Sequence, residues 1–442
     1  MAGQLAVLQN DKSDTEDSPE MRAREYLSLL YQRDDRPWVV AYSGGKDSTV
    51  VLHLVYSLIL ELGKAATKPV FVISSDTRVE APNIVAYIES VLAAVDLHAE
   101  QTSLPVTTEI VTPAVNESFW GKLIGLGYPS PTRWFRWCTT NMKIKPSRRA
   151  IDKITAQYGS VVLLLGSRFD ESGDRRKRME ARNRNSAGLN LHHEIPNSYV
   201  PTPIADWSTD DVWGFLSENN PAPWGRSHDQ LLRLYRQANG GECPVVMDLN
   251  TPSCGGSRFG CWTCTVVKMD RSMEGFIESG DEWMRPLNEF RNWLKDIREN
   301  PNFRQQYRRD GSKGPGPFTY EARVIILKGL LELEQKIGLQ QGAITLISDD
   351  EIKYIQSLWS GEFDLKRSAI GLAKGFGRDL GDHIEMQLDD DDKKIIEQLI
   401  GEYSLPEDLV WGLFELEDRF PNLDALGTKS EIRRELQIMI EN

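Results

Sequence analysis

The chain has 442 residues, too many for one ordinary core of about 100–200 residues, so two or three compact units are expected. A hydrophobic fraction of 40%, a charged fraction of 26% and twelve Trp match a packed globular protein and exclude wholesale disorder. The net charge of -13 is concentrated at one end: residues 340–442 hold 23 acidic and 11 basic side chains, whereas residues 133–184 hold 14 basic and 5 acidic, a stretch suited to a polyanion.

The most apolar window, residues 50–60, is interrupted by His53 and Ser57 and is far shorter than the about 20 residues a bilayer-spanning helix needs. The first residues are polar and lack the basic and apolar pattern of a secretory signal. A cytoplasmic protein with no membrane partner is expected. Five Cys in such a chain point to metal or redox chemistry rather than a disulfide framework.

In chain order, residues 1–20 read as a mobile arm and residues 21–32 as a short amphipathic helix. Residues 38–42, Trp-Val-Val-Ala-Tyr, predict a buried strand, followed by a glycine turn and a helix over residues 48–62. A strand over 70–73, a helix over 82–95, a weaker strand over 107–111 and a continuous apolar strand over 161–165 follow. Strands alternating with helices predict an α/β fold with an open, mostly parallel sheet. After Tyr199 the pattern becomes helical, clearest over 209–219. A Cys- and Gly-rich region spans 240–264, and the turn-rich DGSKGPGP of residues 310–317 reads as a hinge. Later helices are expected over 318–337, 349–359 and 389–399, forming a C-terminal helical domain over 318–442 that is acidic. The remaining boundaries read as a nucleotide domain over 21–200 and a helical, Cys-rich region over 201–310.

The loop Ser43-Gly44-Gly45-Lys46-Asp47-Ser48 lies where a strand feeds a helix. Unpaired backbone N–H groups and the helix dipole favour an anion there, so the loop is a phosphate site. Ser43, Gly44 and Gly45 provide a backbone that can approach a ligand, Lys46 a point charge, Ser48 a hydroxyl, and Asp47 a carboxylate for Mg²⁺ between phosphate oxygens. It is not a Walker A loop, because Val40 stands at that pattern's first Gly and Asp47 at its Ser or Thr. SGGKDS resembles the PP-loop of N-type ATP pyrophosphatases, whose fold is adenine nucleotide α-hydrolase-like. The resemblance implies cleavage of ATP between the α and β phosphates and transfer of AMP to an acceptor oxygen.

Four further stretches narrow the resemblance: Ser75-Asp76-Thr77; Trp137-Cys138-Thr139 with Lys143 and Pro146; Gly166-Ser167-Arg168 with Glu171 and Arg175; and Pro203-Ile204-Ala205-Asp206-Trp207. Together, over about residues 20–270, they resemble the phosphoadenylylsulfate reductase branch. Joined to the later cysteines and the C-terminal extension, they resemble most the DndC-type ATP pyrophosphatases of bacterial DNA phosphorothioation, with the SspD type as a near relative. That resemblance implies ATP, Mg²⁺ and a 4Fe-4S cluster as cofactors. It also implies DNA, a cysteine desulfurase and other Dnd or Ssp modification proteins as partners. By position at strand ends, Asp76 and Thr77 would serve Mg²⁺ or ribose, and Gly166 and Arg168 the phosphates.

Cys243, Cys254, Cys261 and Cys264 fall within one glycine-rich stretch, a grouping that suits an iron-sulfur cluster or a Cys₄ zinc site. Cys138, set among basic residues that favour a lowered thiol pKa, is a sulfur-accepting nucleophile, a cluster ligand in place of Cys243 or Cys254, or a small buried side chain. Arg175, Arg176, Lys177, Arg178, Arg182 and Arg184, with Trp134, Phe135 and Trp137 among Arg133 and Arg136, suit phosphates and exposed bases. The leading reading is adenylation of a DNA backbone phosphate for replacement of oxygen by sulfur. Its competitors are a phosphoadenylylsulfate or adenylylsulfate reductase, an RNA thiolase and a non-catalytic nucleotide sensor. The reductases rely on a late nucleophilic Cys, and residues 265–442 contain none.

Overall fold

The computed structural model describes residues 18–33, 35–171, 190–191, 195–238, 259–342, 344–362, 364, 367–381, 390–407 and 409–413. Contacts group the chain into two units that do not follow sequence order. One contains Met1–Ser75, Asn83–Val111 and Ser147–Phe259, and the other Asp76–Pro82, Thr112–Pro146 and Gly260–Asn442.

The first unit is built on strands β1 (Trp38–Ala41), β2 (Val70–Ser75), β3 (Val106–Val111), β4 (Val161–Leu164), β5 (Asn190–Leu191) and β6 (Ser198–Val200), in the order β3-β2-β1-β4-β6-β5. All neighbours are parallel except β5 on β6. The open parallel α/β sheet expected from the pattern is therefore present, with an antiparallel edge strand added. The two last strands are too short to show alternation, which is why the sequence pattern did not mark them.

Helices α1 (Pro19–Arg33), α2 (Lys46–Leu62), α3 (Pro82–Thr102) and α4 (Lys145–Tyr158) flank the sheet, followed by α5 (Thr209–Glu218) and α6 (Asp229–Ala238). Successive strand residues point to opposite faces. Val39, Ile73 and Leu163 accordingly pack with Ala150, Ile151 and Ile154 of α4 in one core. The basic composition of α4 hid its apolar positions from the sequence pattern.

Helix α2 with its following turn, Lys46–Ala65, is the one described helix long and apolar enough to cross a membrane, with a mean hydropathy of 1.3. Val50, Val51, Leu54, Val55 and Ile59 along it are at most 1% exposed, so its apolar character is that of a core helix. Ser208 closes the start of α5 with a capping box to Asp211.

The second unit is helical: α7 (Arg271–Glu278), α8 (Arg285–Glu299), α9 (Tyr320–Gln341), α10 (Asp349–Ser360), α11 (Ser368–Gly375) and α12 (Asp390–Tyr403). Its core includes Trp120, Trp262 and Phe290, with ring centroids 6.0–6.3 Å apart. Residues Gly121–Gly125 form a π-helical turn whose glycines admit close packing. A Cβ on Gly125 would stand 2.7 Å from Leu358 Cδ1 of α10. The Trp120 indole donates to Leu346 O at 2.7 Å and the Trp359 indole to Ile124 O at 3.1 Å. The C-terminal helices thus complete the core around residues 118–126.

Residues 310–317, read from sequence as a hinge, fold back on the preceding strand-like segment instead. Gly314 and Gly316 donate to Gln306 O and Gln305 O, and Arg304 and Tyr307 pair with Phe318 and Lys313.

Trp359 is fully buried, and its removal leaves both a cavity and an unpaired Ile124 carbonyl. Trp359→Ala should lower stability by about 3–5 kcal/mol, seen as an earlier urea unfolding transition, whereas Leu339→Ala on an exposed side chain should leave that transition in place.

Candidate functional site

The sheet order reverses between β1 and β4, and in open α/β sheets that crevice, at the strands' carboxyl ends, is where ligands bind. Both strands deliver expected residues there. After β1, Gly44 takes φ +71°, where a Cβ would also stand 2.5 Å from Ile88 Cγ1. Gly45 starts α2 without a side-chain cap, which leaves the Asp47 and Ser48 amides of the first turn available to an anion. Ser48 stiffens the turn: its hydroxyl accepts from Ser43 N at 3.2 Å and donates to Gly45 O at 3.0 Å, and it lies 3.1 Å from Ser43 Oγ.

After β4, Gly166 crosses directly beneath this loop. A Cβ there would stand 2.8 Å from the Asp47 carbonyl and Ser48 N, so only glycine allows the approach. Arg168 then turns inward, 2% exposed. Its Nε donates to Asp47 Oδ1 at 2.6 Å, and its two terminal nitrogens donate to Trp207 O at 3.0 Å and Thr209 Oγ1 at 3.3 Å. Lys46 Nζ donates to the other carboxylate oxygen, Asp47 Oδ2, at 2.9 Å. Three of the stretches singled out in the sequence, the glycine loop, Gly166–Arg168 and the segment ending in Trp207, thereby meet at the Asp47–Arg168 pair. Both Asp47 oxygens engage cations. Arg168 acts from behind, orienting Asp47.

Tyr235 of α6 escaped the sequence reading. Its hydroxyl accepts from Lys46 N at 3.2 Å, its ring packs edge-on against Trp213, and burial pushes its pKa well above the usual tyrosine value. Tyr235 therefore stays a neutral phenol against the loop. On an amphipathic helix an aromatic reads as core, and nothing in the sequence marks this one as a loop contact.

Asp76 and Thr77 belong with the second unit. Asp76 accepts from Arg78 N at 2.8 Å in a tight turn, and Thr77 Oγ1 lies 3.4 Å from Cys261 Sγ. Glu80 pairs with Cys261 through backbone in a short bridge, and Trp262 N donates to Val79 O at 2.9 Å. Lys143 Nζ donates to Glu80 Oε1 at 3.2 Å. Burial opposes the Lys143 charge, yet Cys261, Glu80 and Cys138 together hold its pKa above the usual lysine value.

Cys261 and Cys264 close a turn, with Cys264 N donating to Cys261 O at 3.0 Å. Two buried arginines of α8 pin it. Arg291 donates to Cys264 O at 2.8 Å and to the carbonyls of Val267 and Lys268, and Arg298 donates to Pro131 O at 2.8 Å and Thr265 Oγ1 at 3.1 Å. Neither arginine stands near the cysteines in sequence, so this support was illegible there.

Cys138, Cys261 and Cys264 are all free. The lowered thiol pKa expected for Cys138 is reversed. Burial pushes this thiol up and Cys264 adds to the rise, which outweighs the Thr139 hydrogen bond and Arg136. Burial likewise pushes the Cys261 thiol up to about 12, against the pull of Lys143. Among the described residues no group of three or more His, Cys, Asp or Glu is disposed to hold a metal ion. Cys243, Cys254 and the basic residues Arg175, Arg176, Lys177, Arg178, Arg182 and Arg184 lie outside the described residues.

The phosphoadenosine phosphosulfate reductase domain matches residues 37–267, just over half of the chain. The chain belongs to that family. It carries the PP-loop type of α/β fold, with the matched region holding the whole sheet, the nucleotide loop and the Cys261–Cys264 turn.

Two uncharacterized proteins of Methanocaldococcus jannaschii are similar to it. One is 25% identical over 62% of this chain and 46% of its own length, and the other 28% identical over 41% and 36%. The chain thus spans less than half the length of these curated relatives. Among solved structures, a phosphoadenylyl-sulfate reductase from Candida auris in a phosphate complex is 18% identical, covering 60% of this chain and all of that one, with a TM-score of 0.31. The Candida glabrata FMN adenylyltransferase is 16% identical over 72% and 83%, with a TM-score of 0.30. The U34-tRNA thiolase of Methanococcus maripaludis with its [4Fe-4S] cluster is 12% identical over 63% and 78%, with a TM-score of 0.29.

Two outcomes check this geometry. Gly166→Ala should displace the Asp47–Ser48 backbone and weaken binding of a fluorescent ATP analogue, with the circular dichroism spectrum retained. In metal-free protein, Cys261 should be a protonated thiol at pH 8 and resist iodoacetamide, its alkylation accelerating only as pH approaches about 12 and immediately on unfolding.

Proposed function

We propose that the chain is an ATP pyrophosphatase that adenylates an acceptor oxygen, a DNA backbone phosphate in our reading, so that sulfur can replace that oxygen. The observation that carries this reading is the Lys46–Asp47–Arg168 chain on an uncapped glycine loop, at 2.9 and 2.6 Å. This arrangement supports a reading of the β1–β4 crevice as an anion site with a cation beside it, on a loop that departs from the Walker A pattern.

In this mechanism the acceptor oxygen attacks the α-phosphorus, a P–O bond forms, the bond from that phosphorus to the α–β bridging oxygen breaks, and pyrophosphate leaves with the electron pair. Lys46 follows the β and γ phosphates, and the first-turn amides of α2 hold the developing charge. Gly44 and Gly45 let the backbone close on it, and Arg168 keeps Asp47 aligned behind it. Mg²⁺ would neutralise part of the charge on the departing pyrophosphate, with Asp47 as the loop's ligand for it. Activation is needed because oxide is a poor leaving group. The adenylated oxygen departs as AMP when a sulfur nucleophile attacks, with a cysteine desulfurase as the sulfur source and Dnd- or Ssp-type proteins as companions in the cytoplasm.

Cys261 and Cys264, soft donors on a turn fixed by Arg291 and Arg298, fit a thiolate-held centre by donor chemistry. With Cys243 and Cys254, or with Cys138 in place of one of these, they would hold a 4Fe-4S cluster, which would supply a sulfur-handling or structural iron centre; zinc is the alternative occupant.

A pyrophosphate-release assay tests the assignment. Wild-type protein should form AMP and pyrophosphate from ATP, with DNA and partner proteins present, and Lys46→Ala should abolish both products without unfolding the chain. Formation of ADP and phosphate instead would overturn the reading. Anaerobically purified protein should be brown with about four iron per chain and bleach on Cys261→Ser.

A further inference from the structure

The second unit presents an exposed aromatic and cationic turn that neither the nucleotide loop nor the cysteines use. Thr132 and Phe135 close it with reciprocal backbone hydrogen bonds of 3.2 Å, and Phe135 N also reaches Thr132 Oγ1 at 3.0 Å. The two residues at the tip are therefore Arg133 and Trp134. Trp134 is 91% exposed, an unusual position for the largest apolar side chain.

The base of the turn is rigid. Phe135 stacks on Tyr128 with ring planes 17° apart, Trp137 meets Tyr128 edge-on, and the Trp137 indole donates to Pro129 O at 3.0 Å. Trp134 is thus held out on a fixed support.

Cations lie beside it and along the base of the turn. The Arg133 guanidinium lies 5.8 Å from the Trp134 ring, and Arg136 is exposed beside it. From the folded 304–318 segment, Arg309 stacks 4.6 Å over Tyr128 and donates to Leu126 O at 2.6 Å, while Lys122 Nζ lies 5.7 Å from the same ring. Residues 118–146 contain no acidic side chain. A protein docking site would offer a contiguous apolar patch of some hundreds of Å². A single aromatic plane within a cationic frame fits a different ligand, one with a flat π-face and flanking negative charge.

We infer that this turn binds an unpaired nucleotide, its base stacked on Trp134 and its flanking phosphates met by Arg133 and Arg136, with Arg309 and Lys122 extending the electrostatic track. The inference deepens the proposed function, on which it rests for the choice of nucleic acid as acceptor. Stacking is available to a base free of its own neighbours, so single strands and locally opened duplexes should be preferred over closed duplex.

The test is fluorescence anisotropy of a short labelled deoxyoligonucleotide over a salt titration, on the full chain. Trp134→Ala should weaken single-strand binding about tenfold with the salt slope unchanged, and Trp134→Phe should restore most of the affinity. Arg133→Gln with Arg136→Gln should flatten the salt slope by about one per lost phosphate contact. An abasic strand should bind wild type as weakly as an intact strand binds Trp134→Ala. Equal affinity of wild type and Trp134→Ala for the intact strand, with normal circular dichroism in both, would overturn the platform. So would binding to closed duplex that is as tight as to single strand.

A ribo-oligonucleotide arm separates the sources: a Trp134-dependent preference for RNA supports the platform and moves the acceptor from DNA to RNA. Pyrophosphate release in the same preparations separates the two readings. Release without a Trp134 effect defeats only the platform, and Trp134-dependent binding with ADP as the ATP product defeats only the adenylation reading.

Discussion

The ion pair between Arg168 and Asp47 is the interaction on which the nucleotide site depends. It joins residues 121 positions apart, after two adjacent parallel strands, at the point where the sheet order reverses. Arg168 is buried with its guanidinium nitrogens spread over a carboxylate, the Trp207 carbonyl and the Thr209 hydroxyl. Breaking such a buried pair by removing one partner costs about 3–5 kcal/mol, because the survivor is left charged and unpaired. The pair therefore fixes the loop after β1, the segment after β4 and the entry to α5 as one body. Gly166 is the steric condition for it, since any side chain there would hold the two segments apart.

That arrangement divides labour among the charged groups of the loop. Arg168 is spent on structure, Asp47 is held in place by it, and Lys46 reaches Asp47 at the end of a long, flexible stem. Lysine suits this part because its ammonium is a compact point charge that can exchange a carboxylate for a phosphate oxygen. Tyr235, kept neutral by burial, steadies the Lys46 backbone without adding charge to an anion site.

The second unit solves a different problem, that of holding thiols in a fixed place. Thiols cannot organise a turn by themselves, and the turn carrying Cys261 and Cys264 is organised instead by arginines bonding its carbonyls and by an aromatic core of Trp120, Trp262 and Phe290. Helix α10 and the segment before it join this same core through the Trp359 and Leu346 contacts.

Local sequence determined the elements whose signal is local. The apolar runs at β1, β2 and β4 and the amphipathic stretches of α2, α3, α9 and α10 follow from hydrophobic periodicity, and the SGGKDS turn follows from glycine between strand and helix. The site residues Lys46, Asp47, Gly166 and Arg168 were legible because strand ends converge in any open parallel sheet. Tertiary structure alone decided the contacts between distant segments. It set Tyr235 against Lys46, Arg291 and Arg298 against the cysteine turn, and Thr77 against Cys261, and it made a half-buried, raised thiol of Cys138 where neighbouring charge in the sequence suggested a lowered one. A pKa depends on desolvation and on which groups surround the atom in space, and sequence order specifies neither. The turn-rich 310–317 segment is the same lesson in backbone form: its glycines and prolines announced a change of direction, and only the partners it found, Gln305, Gln306 and Tyr307, determined that it folds back.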